Sequence, residues 1–157
     1  MVKRTSFEQA ECPVARSLDA LGDWWSLLII RDALLGARRF GEFHKRLGLA
    51  KNILTVRLRA LVEHGILKTA PASDGSTYRE YVLTPKGRGV FPILVALRQW
   101  SEEFSPEPAI ATELVDRDKG RPVRKLELRS RDGRLLGQGE TELRPNPRLK
   151  PRRRISA

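Results

Sequence analysis

The sequence has little cysteine and histidine. One cysteine, Cys12, and two histidines occur among 157 residues, which excludes an internal disulfide and a zinc site built from clustered cysteines. His44 and His64 lack the spacing of metal ligands, and neither a phosphate-cradling glycine loop nor a Ser–His–Asp grouping stands out. We therefore expect no metal, no cofactor and no enzymatic activity.

Long hydrophobic runs are also missing. The longest, around residues 27–30, is interrupted at Arg31 and Asp32, whereas a membrane-spanning helix needs about 20 apolar residues. The N-terminus carries basic residues without the apolar stretch of a secretory signal. These features predict a cytoplasmic protein with no membrane partner.

Positive charge is in excess. The chain carries 30 Lys and Arg against 19 Asp and Glu, a formal net charge of +11. Residues 105–157 hold 14 of the basic and 8 of the acidic residues, a net of +6, so the tail is the more basic part per residue. Such a balance favours polyanionic partners such as nucleic acid or an anionic membrane surface.

Hydrophobic spacing predicts four helices before residue 65. The first begins at Pro13, the second runs from Trp24 to about Leu35 behind the capping residue Asp23, the third is short and lies around Phe40, and the fourth runs from about Lys51 to His64. Glycines end all four helices, at Gly22, Gly36, Gly48 and Gly65. The third and fourth form a helix-turn-helix.

A hairpin and a fifth helix follow. Residues 66–70 and 78–83 read as two strands about a turn rich in Pro, Ser, Asp and Gly, which is the candidate wing. Thr84 and Pro85 start a helix to about Phe104, and Pro92 should bend it or delay its regular start. The fold class is mainly α with a β-hairpin wing, a winged helix-turn-helix.

The chain divides into four predicted regions. Residues 1–11 are an N-terminal arm and residues 12–104 are the winged helix-turn-helix domain. Residues 105–144 alternate in strand fashion around Asp132 and Gly133, which predicts a small β-rich C-terminal extension with a thin core. Residues 145–157 are proline-rich and basic, which predicts a disordered tail.

The outer face of the fourth helix is the strongest functional candidate. Its inner stripe holds Leu54, Leu58, Leu61 and Val62, so polar side chains lead outward, and amide, guanidinium and methyl groups there can read base edges in a major groove. A solvated face is the alternative. The candidate DNA contacts on this helix are Lys51, Asn52, Thr55, Val56 and Arg59.

Two further groups could contact the DNA backbone. Arg38 and Arg39 stand before the third helix, where their charge and the helix N-terminus could bind one phosphate, or they simply form a basic loop. On the wing, phosphate or minor-groove contacts compete with an ordinary polar hairpin surface. The wing candidates are Lys68, Ser76, Thr77 and Arg79.

Residues 12–104 resemble the HxlR-type, MarR-like winged helix-turn-helix regulators. The resemblance rests on the Cys12–Pro13 start and on the stretches WSLLI at 25–29, RF at 39–40, RLRAL at 57–61, Gly65 and YVLTPKG at 81–87. It implies a sequence-specific regulator of transcription that binds double-stranded DNA. Repression is the commoner outcome in this family, so the resemblance implies a repressor.

The resemblance also implies a homodimer on a palindromic operator, with the first and last helices packed across the two-fold axis. The sequence agrees, because the last helix carries more apolar surface than one small domain covers. The effector of such a regulator could be a small molecule or an oxidant. The residues expected at the dimer interface are Val14, Leu18, Leu94, Leu97, Trp100 and Phe104.

Two departures qualify the resemblance. Relatives often cap the recognition helix with Ser where this chain has Ala50. Relatives with a longer C-terminus often resemble a small zinc ribbon there, with paired cysteines, whereas residues 105–157 contain no cysteine, so at most a metal-free remnant is implied. Cys12 matches a cysteine that senses oxidants in several members, and a helix N-terminus favours the reactive thiolate. Packing near the dimer interface is the alternative for Cys12.

Two other functions compete with operator binding. An RNA-binding or ribosome-associated role would use the basic tail PRRRIS, which binds RNA as readily as DNA. A protein-interaction module is the other, since winged helices also serve that purpose without touching nucleic acid.

Overall fold

The computed structural model describes residues 6–7, 9–104 and 112–147. The chain divides into two compact units, residues 1–109 and 110–157. Most of the predicted N-terminal arm and the tail beyond residue 147 lie outside the described residues. None of the described helices is long and apolar enough to cross a membrane.

The first unit opens with two helices, as predicted. Helix α1 spans Pro13–Leu21 and helix α2 spans Trp24–Leu34. The Asp23 carboxylate caps α2 by accepting hydrogen bonds from the Ser26 backbone N–H at 2.9 Å and the Ser26 hydroxyl at 2.7 Å. An Asp at this position is a strong helix start because it satisfies N–H groups that have no partner within the helix.

The helix-turn-helix consists of α3, Phe40–Leu47, and α4, Lys51–Glu63. Between them Gly48 adopts the left-handed conformation, with φ of 65°, which glycine reaches without steric cost. The predicted leucine stripe is confirmed, because Leu54, Leu58 and Leu61 are completely buried. Their burial fixes which side of α4 faces outward.

The wing is an antiparallel hairpin of β1, Leu67–Pro71, and β2, Arg79–Leu83. Leu67 lies opposite Leu83 and Pro71 lies opposite Arg79. Both strands begin one residue later than the sequence predicted. Ile66 is still buried, but its carbonyl accepts from the Thr84 N–H at 3.0 Å and not from the hairpin ladder.

The predicted fifth helix is two helices, α5, Pro85–Arg88, and α6, Phe91–Phe104. Thr84 caps α5, since its hydroxyl accepts from the Gly87 N–H at 3.1 Å. Pro92 is the second residue of α6, where its missing N–H removes no helical hydrogen bond. Of the two effects expected of Pro92, the structure shows the delayed start.

The hydrophobic core lies around α2. Ile29 and Ile30 of α2 are completely buried, and Phe43 of α3 packs edge-on against Tyr81 of the wing with ring centroids 6.4 Å apart. Side chains from α4, the wing strands and the start of α6 complete this cluster. One core therefore holds α3, α4 and the base of the wing together.

In the second unit the predicted small sheet is reduced to isolated contacts. Residues 112–147 show two β-bridges, Val115 with Pro122 and Arg129 with Leu135, and a 3-10 turn at Gln138–Glu140. Asp132 and Gly133 do lie in a turn, and Gly133 has φ of 89°. No second layer within these residues covers Leu128, which is 60% exposed, so alternation alone does not build strands there.

Candidate nucleic-acid interface

The outer face of α4 presents the five side chains that the sequence singled out. Lys51, Asn52, Thr55, Val56 and Arg59 are all exposed. Val56 is 60% exposed, so its methyl groups are available for an apolar contact. Donors, acceptors and an apolar contact are therefore available on one helix surface.

Thr55 is less free than the others. Its hydroxyl donates to the Lys51 carbonyl, one turn earlier on the same helix, at 2.8 Å. This local bond occupies the hydroxyl proton and leaves the methyl group as the side chain's other contact surface.

Helix α4 begins without a side-chain cap. Ala50 occupies the N-cap position with an extended backbone, φ −57° and ψ 137°, and its carbonyl accepts from the Leu54 N–H at 3.0 Å. With no oxygen on the Ala50 side chain, N–H groups of the first turn are left for solvent or a ligand. These groups lie at the end of α4 that carries Lys51 and Asn52.

Arg57 of α4 forms an ion pair within the chain that the sequence did not predict. Its guanidinium lies 3.1 Å from the Asp23 carboxylate, the residue that caps α2. The pair joins α4 to the start of α2. No local pattern predicts it, because the two residues are distant in sequence and meet only in the folded chain.

The wing candidates lie on the hairpin surface. Lys68 and Thr77 are exposed, and Ser76 is half-buried. Arg79 is exposed and donates across the hairpin to the Thr69 hydroxyl at 3.0 Å. This bond orients the guanidinium along the wing.

The two arginines before α3 are paired with acidic side chains of the wing. Arg39 Nη2 lies 2.5 Å from Asp74 Oδ2 and 3.8 Å from Glu80 Oε1, and Arg38 Nη1 lies 3.5 Å from Glu80 Oε2. The Arg39 guanidinium also sits over the Tyr78 ring, 5.9 Å from its centroid. The structure thus places these arginines against the wing hairpin.

Three carboxylates in this region have depressed pKa values. The Arg39 guanidinium and Ser76 hold the pKa of Asp74 well below its usual range. The Ser73 N–H is the main cause of the lowered pKa of Glu80, and the N–H groups of Arg38 and Arg39 lower the pKa of Glu42. All three groups are therefore charged at neutral pH.

Most residues expected at the dimer interface are exposed in the single chain. Trp100 and Phe104 are each 64% exposed, with their rings 5.9 Å apart, and Val14, Leu18 and Leu97 are exposed as well. Leu94 differs, because it is partly buried against the core. The exposed side chains form apolar faces on α1 and α6.

Cys12 occupies the N-cap position of α1, and its thiol is exposed and free. It makes no side-chain capping hydrogen bond to α1. Within the described ranges no group of three or more His, Cys, Asp or Glu side chains is arranged to hold a metal ion.

This chain is similar to known proteins in both sequence and fold. The family model described as HxlR-like helix-turn-helix matches residues 20–108. Rv3095 of Mycobacterium tuberculosis, an uncharacterised HTH-type transcriptional regulator, is 43% identical over 95 residues, which are 60% of this chain and 60% of that protein. The chain thus aligns with less than two thirds of this relative's length.

Two solved structures extend the comparison. The crystal structure of PA1607, a proposed transcription factor, is 54% identical with a TM-score of 0.85, and the match covers 90% of this chain and 100% of that one. The redox regulator HypR in its oxidised form is 31% identical with a TM-score of 0.53, covering 59% of this chain and 96% of that one. The chain belongs to the HxlR-like helix-turn-helix family, whose matched members are named as transcription regulators and not as enzymes.

Proposed function

We propose that this protein binds a specific sequence of double-stranded DNA as a homodimer and represses transcription from a palindromic operator. The observation that carries the proposal is the exposed face of α4, opposite three completely buried leucines. A helix held in this way can enter a major groove without losing its packing on the core.

The roles of the exposed side chains follow from their chemistry. Asn52 can pair bidentately with adenine, Arg59 can pair with guanine or neutralise a phosphate, and the Val56 methyls can pack on the thymine methyl group. The uncapped N–H groups behind Lys51 suit a phosphate, since a helix N-terminus attracts anions. Sequence preference should therefore depend on Asn52 and Arg59.

The wing contributes contacts that do not depend on sequence. Lys68, Thr77 and Arg79 are exposed on the hairpin, and Ser76 lies in its turn, where they can meet phosphates or the minor groove. Arg38 and Arg39 are left out of these contacts because acidic wing residues already pair with them.

The homodimer is supported by the apolar faces of α1 and α6. Trp100, Phe104 and Val14 are each more than half exposed, and large exposed apolar side chains in such number favour a protein–protein contact. A two-fold dimer would present two copies of α4, which explains the expected palindrome.

Oxidant sensing at Cys12 is supported by its free, exposed thiol at the start of α1. The likeness to HypR, a redox regulator, favours the same reading. If Cys12 responds to oxidants, its position next to the proposed dimer face of α1 would couple oxidation to the spacing of the two recognition helices.

Genomic-fragment selection on the purified protein tests the proposal. We expect a limited set of fragments that share an inverted repeat. If Cys12 is the sensor, mild oxidation should change the fragments selected by the wild-type protein, and a Cys12→Ser variant should select the same fragments before and after oxidation. Excess structured RNA should not displace the selected duplex. Displacement by structured RNA that is as effective as displacement by unlabelled selected duplex would contradict operator binding and favour the RNA-binding alternative.

A further inference from the structure

The start of α3 is fastened to the wing by backbone and side-chain contacts together. The Tyr81 N–H of β2 donates to the Arg38 carbonyl at 2.7 Å, so residue 38 pairs with the hairpin at its open edge. Glu42 Oε2 accepts from the N–H groups of Arg38 and Arg39 at 2.6 and 2.9 Å. The backbone between α2 and α3 is therefore held from both sides.

The side-chain contacts centre on Arg39. Its guanidinium pairs with Asp74 in the wing turn and lies over the Tyr78 ring, while Glu80 of β2 is 3.8 Å away. Arginine suits this position because its planar group can pair with a carboxylate and stack on an aromatic ring together.

Glu80 explains how the wing turn is held. Its carboxylate is buried and accepts from the Ser73 N–H at 3.2 Å and the Ser73 hydroxyl at 2.9 Å. Asp74 in turn accepts from the Ser76 N–H at 3.0 Å. The turn that carries Asp74 is thus anchored to β2, and Arg39 anchors that turn to α3.

We propose that Arg39 is a positioning residue that fixes the wing against the helix-turn-helix, so that wing and α4 meet a duplex as one preformed surface. This rests on the proposed DNA binding, because the wing must contact DNA for its position to matter. When the wing is already ordered in the free protein, it loses no conformational entropy on binding DNA. A wing that becomes ordered only on binding loses that entropy, which weakens the affinity.

The alternative is that Arg39 contacts a phosphate directly. Substituting the acid partner separates the two roles, because they predict opposite signs. If Arg39 binds phosphate, Asp74→Asn frees the guanidinium and removes a negative charge, and DNA binding tightens. If Arg39 positions the wing, the same change loosens the wing and DNA binding weakens although the protein has become more positive.

The binding experiment compares Asp74→Asn with Glu63→Gln, which removes an acidic charge from the exposed end of α4. One probe is a duplex of about 30 base pairs recovered by selection on the wild-type protein, a length that holds two half-sites one helical turn apart. The other probe is a scrambled duplex of the same length. We expect Asp74→Asn to bind the selected duplex about three- to tenfold more weakly than Glu63→Gln.

A double-mutant cycle adds Arg39→Gln. Because Arg39 and Asp74 belong to one contact, we expect the double variant to bind no more weakly than Arg39→Gln alone. Arg39→Lys should restore part of the binding, since it keeps the charge and loses the planar fork. Additive losses, or an Asp74→Asn variant that binds as tightly as Glu63→Gln, would overturn the proposal.

Amide hydrogen exchange on the DNA-free protein tests the positioning role independently of DNA binding. We expect Asp74→Asn and Arg39→Gln to lower protection of residues 72–81 by about tenfold or more and to leave α4 unchanged. Unchanged wing protection would overturn the positioning role. A wild-type protein that binds selected and scrambled duplexes equally would instead refute the proposed function, while the exchange result would still decide the role of Arg39.

Discussion

The contact between Gly87 and the base of the wing has no room for a side chain. A Cβ built on Gly87 would lie 2.2 Å from the Ile66 carbonyl oxygen and 2.8 Å from Leu83 Cδ2. Even close carbon–oxygen contacts in proteins are about 3.3 Å, so Gly87→Ala forces α5 and the wing base apart by about 1 Å. Because the Ile66 oxygen belongs to the backbone, a rotamer change cannot relieve the clash.

The cost can be estimated from the contacts at this junction. The Ile66 carbonyl accepts from the Thr84 N–H at 3.0 Å, and the Thr84 hydroxyl donates to the Gly65 carbonyl at 2.6 Å. Overpacking costs about 1–3 kcal/mol, and each strained hydrogen bond adds about 1 kcal/mol. After about 1 kcal/mol gained from helix propensity, we expect Gly87→Ala to lower the free energy of unfolding by about 2–4 kcal/mol.

Gly41 provides a matched control. It lies in α3, is exposed, and a Cβ there would meet no atom within 4 Å. Gly41→Ala should therefore raise the free energy of unfolding by about 0.5–1 kcal/mol. Urea unfolding followed by far-UV circular dichroism, at one fixed protein concentration, measures both variants. A Gly87→Ala variant within about 0.5 kcal/mol of wild type, a change typical of an unconstrained surface site, would refute the packing described at the wing base.

Three further predictions concern the start of α4, the wing turn and the exposed end of α6. Ala50→Ser supplies the missing cap of α4 and should raise the free energy of unfolding by about 1 kcal/mol in urea titrations; a loss would show that residue 50 is not the N-cap. Because the pKa of Asp74 is depressed in the folded protein, the ionised carboxylate stabilises the folded wing fully above the ordinary carboxylate pKa of about 4. This stabilisation is lost as the pH falls through the lower pKa of the folded state. Wing amide protection, corrected for intrinsic exchange, should therefore stay constant from about pH 7 to pH 5, and a loss within that window would contradict the Arg39–Asp74 pair. Trp100→Glu together with Phe104→Glu should raise the dimer dissociation constant at least about tenfold in sedimentation experiments, and an unchanged constant would remove α6 from the proposed interface.

The helices were predictable because their signals are local. Leu54, Leu58 and Leu61 recur at helical spacing, and glycines such as Gly48 mark the helix ends, so the sequence itself predicts the outer face of α4. Burial of these leucines then leaves Asn52 and Arg59 outside. This part of the site follows from sequence periodicity alone.

The contacts of Arg39 were not predictable, because they depend on which distant residues the fold brings together. A pair of arginines before a helix reads equally well as a phosphate site or a basic loop, and only the folded wing places Asp74 and Glu80 beside them. The small sheet predicted for the C-terminal extension is not formed, for a related reason. Its alternating residues satisfy the strand pattern, but without a covering layer they form isolated bridges such as Arg129 with Leu135.

The exposed face of α4 is proposed to read base sequence, and the Asn52→Ala variant provides the decisive test. Binding of Asn52→Ala and Lys68→Ala should be measured against the selected duplex and against duplexes with each position substituted. We expect Asn52→Ala to lose about 1–3 kcal/mol of discrimination at one base pair, and Lys68→Ala to weaken every duplex alike. If Asn52→Ala and Arg59→Ala both keep the full wild-type base preference, the exposed face of α4 does not read base sequence.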